Sequence, residues 1–179
     1  ISRGDWSSDV CSSDLSNSSV GGIASGIGIS PTNIDFSLGI AKAYTTRVGE
    51  GPFPTELKNN IGKLIGSRGK EFGTVTSRKR RCGWLDGVLV RQTIKISGIN
   101  GIAITKLDVL DELDEIKVCI QYKLNGKNID YFPSSTEDQK NIKPIYQTFP
   151  GWKSSTKGIK NIDSLPENAK RYIFAIEDF

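Results

Sequence analysis

Residues 100–131, NGIAITKLDVLDELDEIKVCIQYKLNGKNIDY, decide the fold class. Ile102, Ala103 and Ile104 form a short apolar run that ends at Thr105-Lys106-Leu107-Asp108. Further on, Ile116, Val118, Ile120 and Tyr122 alternate with Lys117, Cys119, Gln121 and Lys123 at strand period. Asn125-Gly126 supplies a turn with positive φ, and Ile129 with Tyr131 offers a returning strand, so residues 116–132 are expected to form a hairpin. On the N-terminal side, Leu85, Val88, Leu89 and Gln92 mark one face of a helix over about Trp84 to Ile96. Leu57, Ile61, Leu64 and Ile65 mark another, stopped near Gly66 and Gly69. Ser30 as N-cap and Pro31 as first helical residue open a third, with Ile34, Leu38, Ala41 and Tyr44 on one face and an end at Thr45-Thr46-Arg47. Residues 16–30, SNSSVGGIASGIGIS, carry too many glycines for a helix interior and read as a loop. On the C-terminal side, Ser164-Leu165-Pro166-Glu167 opens a helix with Ala169, Tyr172, Ile173 and Ile176 in register. Helices, then strands, then a terminal helix make a mixed α/β piece.

Composition narrows the chemistry. The 179 residues hold 24 Lys and Arg against 20 Asp and Glu, a net charge of +4, and 36% hydrophobic residues, which suits one globular domain. There is no histidine, which excludes His general bases, Ser-His-Asp and Cys-His triads and His-containing zinc sites together. No apolar run approaches the roughly 20 residues of a membrane span, so no membrane partner is expected. Cys11, Cys82 and Cys119 are odd in number and far apart, which points to a reducing, cytoplasmic setting and to buried thiols rather than a disulfide framework. Residues 1–15, ISRGDWSSDVCSSDL, resemble translated sequencing-adapter DNA and are read as an artefactual, disordered extension, leaving residues 16–179 as a partial domain. Setting them aside removes one Arg and three Asp and raises the net charge from +4 to +6. With no methionine and with Ile1 opening in mid-phrase, the chain reads as a fragment truncated at both ends.

Two constellations carry chemical content. Gly73-Thr74-Val75-Thr76-Ser77-Arg78-Lys79-Arg80-Arg81 places hydroxyls and backbone amides ahead of four successive cations. Hydroxyls donate to carboxylates, and guanidinium forks grip carboxylates or phosphates at two points. A solvated loop is the alternative. Nucleic acid is disfavoured, because there is a single basic cluster and few aromatics lie near it. The second constellation is Thr105-Lys106-Leu107-Asp108. A carboxylate at such a strand end accepts both hydrogens on the N1/N2 edge of guanine, the Lys106 stem lies across the purine, and adenine offers no matching donor pair. The element resembles the Asn-Lys-x-Asp guanine motif of GTPases, with Thr in place of Asn; an ordinary solvated strand end is again the alternative.

Five segments taken together extend the resemblance: SNSSVGGIASGIGISP (16–31), KAYTTRVGEGPFPTEL (42–57), GKEFGTVTSRKRRCGWLD (69–86), TKLDVLDELDEIKVCIQYKLNGK (105–127) and YQTFPGWKSSTKGI (146–159). In order and spacing they resemble part of the C-terminal half of the adenylosuccinate synthetase family. The resemblance implies an α/β, P-loop-NTPase-like fold with a mainly parallel sheet, helices and a β-hairpin. It implies GTP-dependent ligation of IMP and L-aspartate by a cytoplasmic homodimer, with GTP as co-substrate and Mg2+ held by ligands upstream of this chain. By the same resemblance, Thr74, Val75, Thr76, Ser77, Arg78, Lys79 and Arg80 form the loop that binds aspartate, with Arg78 near IMP. Arg80, Lys106, Leu107 and Asp108 bind GTP, and Val48 lies beside the nucleotide. The family's phosphate loop, catalytic aspartate and catalytic histidine fall upstream, and its Ser-Thr-Gly guanine contact falls beyond Phe179. No catalytic residue or metal ligand is therefore expected in this chain, and the isolated piece is expected to be inactive. A non-catalytic guanine-nucleotide or polyanion-binding module is the competing reading. One departure is internal: Ser77 replaces the family's glycine, and if that position takes positive φ the serine costs about 1 kcal/mol.

Overall fold

A computed structural model describes residues 20–73 and 77–178. Five α-helices are present among them: α1 Val20–Ile27, α2 Asn60–Arg68, α3 Gly87–Ser97, α4 Thr136–Asn141 and α5 Glu167–Glu177. Eight strands accompany them: β1 Leu38–Lys42, β2 Thr45–Arg47, β3 Arg81–Gly83, β4 Leu85–Asp86, β5 Gly101–Thr105, β6 Glu115–Leu124, β7 Lys127–Ile129 and β8 Lys143–Pro150. The α/β class expected from the sequence is observed, with parallel and mixed sheets.

β6 organises the largest sheet. It pairs parallel with β4, antiparallel with β7 through Tyr122↔Ile129, and antiparallel with β8 from Glu115↔Pro150 to Lys123↔Lys143. Asn125 at φ 49 and Gly126 at φ 83 close the β6–β7 hairpin as the Asn-Gly pair demands. β1 and β5 form a separate parallel pair, Leu38↔Gly101 through Lys42↔Thr105, so both strands end side by side at Lys42 and Thr105. β2 pairs antiparallel with β3.

Two expectations fail at the N-terminal side. The helix read from Pro31 to about Tyr44 is a single 3-10 turn, Pro31–Asn33, capped by Ser30, followed by β1 and β2. The apolar spacing fits a helix, but pairing with β5, some sixty residues along the chain, satisfies the β1 backbone instead, and tertiary pairing overrides local propensity. The glycine-rich stretch forms α1 from Val20, with Ala24 as its one buried side chain; residues 16–19 lie outside the described structure. Two further differences are smaller. The helix expected from about Trp84 begins at Gly87, because Leu85 and Asp86 pair with Val118 and Cys119 before the Asp86 side chain caps α3 by accepting from Leu89 N. β8 had no forecast in the sequence.

The core gathers under β6 and β8. Tyr44, Ile65, Trp84, Leu110, Ile116, Val118, Phe149, Trp152 and Tyr172 pack in one cluster, and Val88, Cys119, Tyr122 and Ile142 in a second. Cys82 and Cys119 are buried free thiols, as expected. Tyr172 on α5 is fully buried, meets Phe149 edge-on at 5.6 Å between ring centroids, and donates its hydroxyl to Ala43 O at 2.7 Å. This contact ties the terminal helix to the segment joining β1 and β2. Tyr172→Phe should cost about 1 kcal/mol and Tyr172→Ala about 3–5 kcal/mol of stability in urea unfolding. Alanine costing under about 1 kcal/mol would mean that α5 contributes little to the fold.

Candidate functional site

The candidate site lies where β1 and β5 end. In parallel α/β arrangements ligands bind outside the carboxyl ends of the strands, and here that edge carries Lys42 from β1 and Lys106 just after β5. Thr105 Oγ1 donates to Ala41 O at 3.0 Å and Ala43 N donates to Thr105 O at 2.8 Å, which locks the two strand ends together. Lys106 then takes the left-handed conformation, φ 57 and ψ 34, and opens a 3-10 turn, Leu107–Leu110. Val109 and Leu110 are buried and anchor this turn, while Asp108 is exposed. The turn therefore holds the Asp108 carboxylate outward from a fixed base.

Behind the turn sits a carboxylate that the sequence reading did not single out. Glu71 is 1% exposed. It accepts from Lys42 Nζ at 2.9 and 2.8 Å, from Tyr44 OH at 2.6 Å, from Lys106 Nζ at 3.0 Å and from Arg80 Nη1 at 3.1 Å. Lys106 Nζ also donates to Gly69 O at 2.6 Å, and Lys42 Nζ to Thr46 Oγ1 at 3.1 Å. Only glycine fits at position 69, since a Cβ there would stand 2.2 Å from the Tyr44 hydroxyl. Burial pushes the Glu71 carboxyl up, but hydrogen bonds from Lys42, Tyr44 and Lys106 outweigh it and hold the group at about 2. Burial, and the hydrogen bond to Glu71, push the Tyr44 hydroxyl well above its ordinary range. Burial likewise raises the Cys82 thiol to about 11, with the Glu71 charge acting in the same direction, so Cys82 is an unreactive thiol at neutral pH.

The basic run leaves this cluster as a loop. Its base is fixed by the Phe72↔Lys79 bridge, by Arg80 N donating to Glu71 O at 3.0 Å, and by Gly73 N donating to Arg78 O at 2.8 Å. Thr74, Val75 and Thr76 lie outside the described residues. Ser77 has φ 51, the left-handed region, a conformation costing a residue with a Cβ about 1 kcal/mol. The four cations divide. Arg78 and Lys79 are exposed, and Arg80 turns to Glu71. Arg81 forms a two-point pair with Glu56, at 2.7 Å for each contact, and donates to Gly49 O and Gly51 O. The bond from Arg81 lowers the Glu56 carboxyl despite partial burial. Arg81 is thus a structural clamp on the Gly49–Pro54 turn, and Val48 lies half-buried beside that turn. A cavity of about 230 Å³ opens between α2 and the loop base, lined by Lys63, Glu71, Phe72, Lys79, Arg80 and Cys82.

The structure brings Arg80 and Lys106 together on one carboxylate, with Asp108 two residues beyond Lys106. Arg78 and Lys79 stand apart from that cluster, at the loop's exposed side. Lys42, Tyr44 and Glu71 were missed. Tyr44 was read as a helix-face residue, and the one available signal for Glu71 was its being the lone acidic residue within 69–81. Among the described residues no three His, Cys, Asp or Glu side chains gather to hold a metal ion.

A sequence model of the family described as adenylosuccinate synthetase matches residues 10–179, beginning inside the 1–15 stretch set aside above. Among solved structures, the chain is similar to the fully ligated adenylosuccinate synthetase from Plasmodium falciparum, at 43% identity and a TM-score of 0.86. That likeness covers 89% of this chain and 39% of the other, so the chain spans well under half the length of the relative.

The Glu71 geometry sets a pH dependence. Because its carboxyl falls from 4.5 to about 2 on folding, its contribution is fully present above the unfolded value and is lost as pH falls through the folded one. The stability advantage of the wild type over Glu71→Gln should shrink by on the order of 3 kcal/mol between about pH 5 and pH 2, measured by urea unfolding across that range. An advantage independent of pH would show that Glu71 is not held as a paired carboxylate.

Proposed function

The chain belongs to the adenylosuccinate synthetase family, and from that premise we propose that it carries the guanine-recognition and aspartate-loop portion of a GTP-dependent ligase. In the overall reaction GTP is cleaved to GDP and phosphate, and the amine of L-aspartate replaces the C6 oxygen of IMP to give adenylosuccinate. The observation that carries this reading is the exposed Asp108 carboxylate presented from a buried turn at the ends of two parallel strands. Asp108 accepts the N1 and N2 hydrogens of guanine. Lys106, its head fixed on Glu71 and Gly69 O, offers its aliphatic stem to the purine face. Leu107 shapes the same turn, and Val48 borders the nucleotide.

The loop supplies charge at the other substrates. Thr74, Val75, Thr76, Ser77 and Lys79 surround the aspartate carboxylates with hydroxyls, amides and an ammonium group. Arg78 reaches IMP and aspartate, and Arg80, anchored at the loop base, lies on the GTP side. Their contribution is orientation and neutralisation of substrate charge. Magnesium, which the family implies, would neutralise nucleotide phosphate charge, and among the described residues no three His, Cys, Asp or Glu side chains gather to hold it. The complete protein acts as a cytoplasmic homodimer, and the isolated chain binds guanine nucleotide without turning over. The polyanion-module reading is weakened by the pairing of Arg80 with Glu71 and Arg81 with Glu56, which leaves only Arg78 and Lys79 of the run facing outward.

Asp108→Asn removes the acceptor on which guanine selection rests. Titration of the chain with GDP and ADP should give a wild-type preference for GDP, and the variant should lose about tenfold or more in GDP affinity with little change for ADP. A wild-type chain that binds both nucleotides equally would contradict the guanine-site reading.

A further inference from the structure

We propose that Glu71 is a positioning residue whose single buried carboxylate anchors the guanine element and the substrate loop to one point. The inference rests on the reading of Lys106 and Asp108 as the guanine site. Four donors from four places in the chain converge on it: Lys42 at the end of β1, Tyr44 before β2, Arg80 at the loop base and Lys106 after β5. Oε1 takes Tyr44 and Lys106, Oε2 takes Arg80, and Lys42 spans both oxygens.

Two features make this more than a buried ion pair. Lys106 holds φ 57, which is unfavourable for a residue with a Cβ and persists only where surroundings over-determine it. Here the determinants are its two head contacts, to Glu71 and Gly69 O. Asp108 follows by two residues, so the direction of its carboxylate depends on the backbone that Lys106 sets. At the loop base, the Arg80 head bonds to Glu71 through Nη1 while its buried Nε has no partner, so Glu71 is the only side chain holding that guanidinium among the described residues. Removing the charge of Glu71 leaves the Arg80 head without a charged partner and the Lys106 head on Gly69 O alone. Lys106 then relaxes from the left-handed conformation, and the recognition carboxylate turns away from the base edge.

A merely structural Glu71 would behave differently. Loss of folded protein lowers apparent affinity for every nucleotide by the same factor, whereas a misdirected Asp108 lowers the preference for guanine. The experiment is titration of the 179-residue chain and its variants with fluorescent GDP and ADP analogues, with the folded fraction of each followed by far-UV circular dichroism. Glu71→Gln should weaken GDP binding about tenfold and lower the GDP-to-ADP affinity ratio by a similar factor. Glu71→Asp keeps the charge but cannot reach all four donors, and should lower the ratio by a smaller factor; it decides the matter if the Gln variant does not fold. An unchanged ratio in the folded variants overturns the inference while leaving the guanine site in place. A wild-type chain without GDP preference overturns the guanine-site reading and this inference together.

Discussion

A carboxylate taken out of water must be matched by donors or it neutralises, and at Glu71 the matching is supplied by residues that would otherwise have no reason to meet. Lys42 and Lys106 end the two parallel strands, Tyr44 enters the core, and Arg80 closes the loop base, all within hydrogen-bond reach of one side chain. Gly69 lets the Tyr44 hydroxyl come close enough to join them. The turn bearing Asp108 and the loop bearing Arg78 then grow outward from this fixed point. Its arrangement separates the roles of a basic run that looks uniform in sequence: one arginine holds the loop base, one clamps a neighbouring turn, and two cations remain outward.

The rigid part of the molecule supports that point from two sides. β6 and β8 supply the core beneath, and Tyr172 on α5 reaches the carbonyl of Ala43, which lies between Lys42 at the end of β1 and Tyr44. Asp111, on the segment after the Asp108 turn, accepts from Trp152 Nε1 at 2.7 Å and Thr156 Oγ1 at 2.7 Å. The turn that begins at Lys106 is thus held at its start by Glu71 and just past its end by Asp111. Precise presentation of a recognition carboxylate needs this kind of support on both sides.

Where local pattern and tertiary pairing agree, the sequence reads true. The β6–β7 hairpin follows from strict alternation and Asn125-Gly126, α5 from Pro166 and its apolar stripe, and α2 from its spacing and the glycine at its end. Where the two conflict, pairing wins: β1 has helical spacing yet lies along β5, and Leu85-Asp86 joins β6 before α3 begins. The place of Lys106–Asp108 at a strand end was legible because the apolar run Ile102–Ile104 stops at Thr105. Glu71 was not, because its meaning lies in partners drawn from positions 42, 44, 80 and 106, and no local period connects them. The division of the four cations was hidden for the same reason, since it depends on where Glu56 and Glu71 stand.

The most direct test is a crystal structure of the chain with GDP bound. The guanine base should lie against the Lys106 stem, with the Asp108 carboxylate on its N1/N2 edge and the Lys106 head still bonded to Glu71 and Gly69 O. A base bound elsewhere, or a Lys106 head turned away from Glu71 while Asp108 still grips guanine, would contradict this arrangement.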